Sequence, residues 1–187
     1  MIYLSRGIPL WRPAGESVSV SHCGSLFKLD GTQGKLWLAG QYRPAVTQDH
    51  DLDADLVLLA GLGIVVACDD SDDAAVFRLL VNCTICPAHI GRGFAPLTRM
   101  ERRFLRWIRH AGLRLTMAEL TLLTERDVRP VSALLGEKNR QALTEAIYTV
   151  ETICDGILEA TMENSSAREA SVHAVLGLLR KRKIFLV

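Results

Sequence analysis

Apolar and polar residues alternate through the first part of this chain. Ser17-Val18-Ser19-Val20-Ser21-His22 puts an apolar side chain at every second position, the period of a strand with one buried face. Ser25-Leu26-Phe27-Lys28-Leu29 predicts its partner, with Cys23-Gly24 as the turn between them. The period then changes. Asp30-Gly31-Thr32 offers a helix start, Lys35-Leu36-Trp37-Leu38-Ala39 continues it, and Gly40 reads as its stop. Leu52, Leu56, Leu58, Leu59 and Leu62 recur at helical spacing, Gly61 and Gly63 close that helix, and Ile64-Val65-Val66-Ala67-Cys68 predicts a short buried strand. An Asp-rich turn follows at 69–73 and suits a helix cap, while 74–81 fits helix or strand, with helix preferred.

The stretch 87–96, with Gly91, Gly93 and Pro96, predicts a linker. It divides the chain into an N-terminal domain over 1–90 and a helical C-terminal domain over 91–187. In the second domain Leu97, Met100, Phe104, Trp107, Ile108 and Ala111 form one apolar stripe that ends at Gly112. Thr116, followed three residues later by Glu119, has the form of a capping box and opens a helix through Leu120, Leu122 and Leu123. Pro130 starts a turn or short helix that Gly136 ends. Leu143, Ile147, Val150, Cys154, Ile157 and Thr161 then alternate in steps of three and four, predicting a long helix over about 137–162 that Gly156 could divide. That stripe is either a core-facing face or a homodimerisation seam. A last helix over 167–181 buries Val172, Val175, Leu176 and Leu179, and its Arg180-Lys181-Arg182-Lys183 end suits the negative pole of the helix. Ile184-Phe185-Leu186-Val187 reads as a terminal strand. The fold class predicted is α+β, mostly α.

The passage Leu58-Leu59-Ala60-Gly61-Leu62-Gly63-Ile64-Val65 resembles the step from third helix to wing in winged helix-turn-helix domains. It is also similar to the small peptide-binding winged helices of bacterial peptide-modification pathways. The second half resembles another variant, with its second helix opened at Thr116 and a later helix ending in Leu178-Leu179-Arg180-Lys181-Arg182-Lys183-Ile184. The resemblance covers roughly 25–68 and 97–187 and implies two winged-helix-like domains in tandem. The second half departs from the pattern: its helix from Glu137 is long, and no glycine-tipped wing follows it.

Charge sharpens the division. The net charge is +1, yet residues 1–90 hold six basic and ten acidic side chains, and residues 91–187 hold sixteen basic and eleven acidic. Between Pro44 and Phe77 there are eight Asp and no Lys or Arg. A polyanion therefore belongs with the C-terminal half. There Arg99, Arg102, Arg103, Arg106 and Arg109 stand against Glu101 and could contact phosphates, while Lys138, Arg140 and Gln141 could reach bases. The alternative is a solvated face partly paired with the acids of the first half. The Asp-rich helix of the first half is a poor reader of the major groove, because like charge opposes it.

The remaining chemistry is sparse. Cys83-Thr84-Ile85-Cys86-Pro87-Ala88-His89 has the spacing of two metal or redox ligands, with His89 close by, but no second C-x-x-C completes a four-ligand site. Five cysteines is an odd number, and no secretion signal precedes them, so buried thiols and a cytoplasmic location are expected. The Asp cluster at 49–55 lacks the glycine and the bidentate Glu of a calcium loop. No phosphate loop, G-x-S-x-G or H-E-x-x-H is present, and no apolar run is long enough for a membrane span. These observations predict a non-enzymatic, cofactor-free protein that binds double-stranded DNA as a regulator. The alternative is an adaptor that binds a protein or peptide, with the acidic half as its contact. The pI of 7.7 favours the alternative, since nucleic-acid-binding domains usually exceed about 9. A third reading, a metal or thiol sensor, rests on Cys83 and Cys86.

Overall fold

The computed structural model describes residues 1–10, 17–47, 50–70, 72–88, 95–149 and 157–187, with 50–53 described in backbone only. Those residues hold eight α-helices and eight short strands, a mixed α+β chain about half helical. Contacts divide it into unit 1, Met1–Cys83 with Phe185–Val187, and unit 2, Thr84–Ile184. Residues 89–94 of the expected linker lie outside the described residues. Among the described residues, no helix is long and apolar enough to cross a membrane.

Unit 1 holds two antiparallel sheets. In one, β1 (Ile2–Ser5) lies between β5 (Ala45–Val46) and β6 (Val65–Cys68), with Tyr3 opposite both Ala45 and Ala67. In the other, β2 (Ile8–Leu10) and β4 (Ser25–Leu29) flank β3 (Val18–His22). Cys23 and Gly24 sit at φ 48° and 82° between paired His22 and Ser25, the left-handed backbone that a two-residue hairpin turn demands. Leu186 returns to this unit, its carbonyl accepting from the Gly7 N–H at 2.7 Å.

Helix α1 (Gly31–Gly40) lies on β1. The Tyr3 hydroxyl donates to the Leu36 carbonyl at 3.2 Å, and the Ser5 hydroxyl donates to the Trp37 carbonyl at 2.7 Å. The helix ends at Gly40 as expected, and Gly40 is also a contact glycine: a Cβ there would come within 2.7 Å of Ser5 Oγ and 2.8 Å of the Tyr3 ring. Helix α2 (His50–Gly61) ends as its glycines predict, with Gly63 at φ 75° and the Ile64 N–H reaching back to the Leu59 carbonyl. Helix α3 (Ala75–Val81) resolves the ambiguous 74–81 stretch as helix. Tyr3, Val20, Leu36, Trp37, Leu56, Leu59 and Ile64 share one core, and the buried Trp37 indole is satisfied by the Arg6 carbonyl at 3.0 Å.

Unit 2 is helical. After β7 (Ile85–Pro87) come α4 (Arg99–His110), α5 (Met117–Glu125), α6 (Arg140–Ile147), α7 (Ile157–Glu163) and α8 (Arg168–Arg180); of the last strand, β8 (Ile184–Leu186), only Ile184 belongs to this unit. Helix α5 opens at the expected capping box, with the Thr116 hydroxyl accepting from the Glu119 N–H at 3.2 Å and the Glu119 carboxylate accepting from the Thr116 N–H at 2.6 Å. Helix α4 opens on a second box, Thr98 with Glu101.

The long helix expected over 137–162 is corrected. Residues 137–139 form a 3-10 turn, α6 follows, and Tyr148 leaves the helical region at ψ 104°. The six-residue stripe therefore does not continue as one face. Leu143 and Ile147 are buried, but in α7 the buried residues are Leu158 and Met162, while Ile157 and Thr161 face outward. Val150, Cys154 and Gly156 lie outside the described residues. Among the described residues of unit 2, no strand-turn-strand hairpin follows any helix.

Candidate functional site

The amphipathicity of α4 fixes where its arginines go. Phe104, Leu105, Trp107 and Ile108 are buried, so Arg99, Arg102, Arg106 and Arg109 emerge on the other side and are exposed. None of these four side chains has a hydrogen bond or ion pair among the described residues. Arg103 differs. Its guanidinium donates to Asp127 Oδ1 at 2.9 Å, to the Leu123 carbonyl at 3.1 Å and to the Val128 carbonyl at 2.6 Å, with only 17% of the side chain exposed. It ties α4 to the end of α5 and is structural.

Asp127 explains its own backbone. It occupies the position after α5 at φ 46°, with the Val128 N–H bonded to the Leu123 carbonyl, a closure that normally selects glycine. An aspartate accepts that conformation more readily than most residues, and here its carboxylate also holds Arg103.

Two clefts follow the arginine face. The larger, about 810 Å³, lies between Arg99, Arg102, Arg103 and Arg106 on one wall and Asp127, Arg129, Pro130 and Val131 on the other. The second, about 600 Å³, shares Arg106 and continues past Arg109 and His110 to Ser132, Leu135 and Glu137. The outer wall is fastened at both ends. Asp127 is held by Arg103, and the Gly136 N–H donates to the His110 carbonyl at 2.6 Å. Gly112, at φ 76°, permits that second fastening, because a Cβ there would meet the Gly136 backbone at 2.7 Å.

Asp127 and Glu137 line the clefts from the outer wall, while the two acids of the helix caps are turned inward. Glu101 is buried, its carboxylate accepting from Lys181 Nζ at 2.6 and 2.7 Å and from the Thr98 N–H at 2.7 Å. Burial pushes the Glu101 carboxyl up, but the Lys181 ammonium and the Thr98 N–H outweigh it and hold the group below the ordinary carboxylate range. Gly177 makes room on α8, since a Cβ there would run into Glu101 Oε1. Glu119 is buried too and accepts from the Tyr148 hydroxyl at 2.6 Å, which together with burial raises the Tyr148 phenol. Arginines three and four residues apart repel, and Arg99 and Arg102 sit in the first turn of α4, where the helix pole is already positive. An anion in the cleft relieves both.

The other expected site residues stand apart from the clefts. Lys138, Arg140 and Gln141 are exposed and line neither cleft; Arg140 pairs with Glu137 at 3.1 Å, and the Gln141 amide donates to Glu145 at 2.9 Å. Cys83 is buried in unit 1, donates to the Leu79 carbonyl at 3.3 Å, and is pushed up to about 12 by burial, against the opposing Arg6 charge. Cys86 is buried in unit 2, where the Arg114 guanidinium donates to its sulfur. His89 lies outside the described residues, among which no group of three or more His, Cys, Asp or Glu could hold a metal.

The chain matches no protein-family model, no curated protein and no solved structure. Its function must therefore be argued from this geometry. Sequence reasoning marked all five α4 arginines as phosphate contacts, of which Arg103 is instead turned to Asp127, Leu123 and Val128, and it missed Arg129 and the wall at 130–137. The spacing Thr98-x-x-Glu101 was a visible signal that Glu101 belongs to a helix cap rather than to the charged face.

Proposed function

We propose that this chain is a non-enzymatic, cytoplasmic DNA-binding protein of regulator type, with two winged-helix-like units in tandem and α4 of unit 2 against phosphates. The observation that carries the proposal is the row of exposed arginines whose side chains have no partner among the described residues, Arg99, Arg102, Arg106 and Arg109, on one face of α4. Arginine forks match phosphate oxygens, and a row along one helix supplies the counterion release that drives DNA association. Lys138, Arg140 and Gln141 remain the base-reading candidates. Their pairs with Glu137 and Glu145 are exposed contacts worth little, so DNA could displace them.

Binding of a labelled random-sequence duplex across a salt series tests this reading. Affinity of about 1–100 μM that falls steeply with salt is expected. The variant Arg102→Ala/Arg106→Ala, with Arg103 kept because it is structural, should lower the slope of log affinity against log salt by about 1.8. Absence of binding at low salt would sink the DNA reading. Besides the pI of 7.7, the adaptor reading is favoured by the recesses that the arginines line, whereas a helix that enters the major groove must stand proud.

A further inference from the structure

We infer that the track along α4 is a groove for an extended acidic peptide segment of a partner protein, one that alternates acidic with aliphatic residues. The inference rests on the reading of the α4 face as an anion site, though not on duplex DNA as its ligand. Three features of unit 2 support it.

The first is shape. The two clefts share Arg106, so the recess follows α4 from Arg99 to His110, about 16 Å of helix at 1.5 Å per residue. That length accommodates about five residues of extended chain at roughly 3.3 Å each. The wall is fastened at Arg103–Asp127 and at His110–Gly136, so the groove is preformed and little ordering opposes binding.

The second is the pairing of chemistries across the groove. One wall carries Arg99, Arg102 and Arg106, rising along the helix in steps of about 4.5 and 6 Å. The facing wall carries Pro130 and Val131, the latter 50% exposed, beside Arg129 and beside Asp127, whose carboxylate is engaged by Arg103. An extended strand sends alternate side chains to opposite sides, spaced roughly 6.6 Å apart on each side. Acids on one side reach the arginines, whose forks bind carboxylates with two parallel hydrogen bonds, and aliphatic residues on the other side cover Val131 and Pro130.

The third is what the lining lacks. Among the described residues no Phe, Tyr or Trp lines either cleft and His110 of the second is the single ring, whereas single-stranded nucleic acids depend on successive rings as stacking platforms.

The test uses the full chain and two fluorescein-labelled heptapeptides of equal composition, one alternating acid with Leu or Val, the other with its acids in one block. Anisotropy titrations are run beside a duplex and a single-stranded oligonucleotide. The alternating peptide is expected to bind at least about fivefold tighter than the block peptide. It should lose at least about tenfold in Arg102→Ala/Arg106→Ala, where two charged hydrogen-bond sets go. Val131→Ser is expected to weaken the alternating peptide about threefold and leave duplex affinity unchanged. Val131 is half-exposed, so that variant keeps the fold. Equal binding of the two peptides, or indifference to Val131→Ser, would overturn the inference, as would tighter binding of the single-stranded oligonucleotide. Duplex binding without peptide binding would sink the inference alone; peptide binding without duplex binding would sink only the DNA reading.

Discussion

Unit 1 and unit 2 manage charge in opposite ways. Among the described acids of unit 1, three remain on the surface and are answered locally: Arg78 meets Asp70 at 3.1 Å and Asp72 at 2.5 Å, and Lys28 approaches Asp30 at 3.7 Å. In unit 2 two glutamates are taken inside, Glu101 to Lys181 and Glu119 to Tyr148, each completing the cap of a helix. What unit 2 leaves on the outer face of α4 is arginine with little to oppose it. The difference teaches that the net charge of a segment is a poor guide to its surface. The pair of Glu101 with Lys181 removes one charge of each sign from the surface, but Glu101 is the only acid of α4, so the charge that remains outward on that helix is arginine alone.

The strongest way to break the comparison is to evict Glu101. Replacing a mid-helix glycine by alanine ordinarily gains about 1 kcal/mol. Gly177→Ala should instead destabilise by about 2–4 kcal/mol net, because its Cβ displaces the carboxylate from Lys181 and leaves that pair broken. Denaturant unfolding checks this, and a stabilised variant would contradict the arrangement. Next in size is the anion face. Arg102→Ala/Arg106→Ala should cost about 100-fold in duplex affinity at low salt, whereas Arg103→Ala should chiefly lower stability, seen by comparing anisotropy with thermal melts.

A third prediction separates the units by pH. Cys83, raised to about 12 by burial, keeps its proton in the folded state after an unfolded thiol has lost it near about 8.5. Its stabilising contribution is complete below that pH and is lost as pH climbs toward 12, at up to about 1.4 kcal/mol per pH unit. Glu101 has the opposite sign. Its carboxyl is held low, so its contribution is present above the ordinary carboxylate range and is lost as pH falls through the folded value. Unfolding curves across pH should lose in Cys83→Ala the alkaline slope that sets in near about 8.5, while keeping the acid slope and the further loss above about 10 that the raised phenols of Tyr3 and Tyr148 add. The smallest effect concerns Asp127, the carboxylate of the larger cleft. Asp127→Asn preserves tolerance of the left-handed backbone and removes a repelling charge, so duplex affinity should rise about threefold at low salt.

Local signals were legible in the sequence, and distant pairings were not. The β3–β4 hairpin, the closure of α2 at Gly63 and the Thr116–Glu119 cap each lie within a few residues, so alternation, glycine and spacing sufficed. Strand β1 escaped, because Tyr3 pairs with Ala45 and Ala67, far along the chain. The role of Arg103 escaped for the same reason: a run of arginines on a helix looks uniform until Asp127, 24 positions on, singles one out. The helical stripe from Leu143 misled, because steps of three and four carry across a break that side-chain spacing does not register.

The most direct test of the central claim is residue-resolved. Amide and arginine Nε resonances would be followed by NMR while a short duplex, and separately the alternating acidic peptide, is titrated into the protein. The expected result is shift changes concentrated at 99–112 and 127–137, with the Arg99, Arg102 and Arg106 side chains moving most and unit 1 nearly still. Changes centred on unit 1, or no changes with either ligand at low salt, would contradict it.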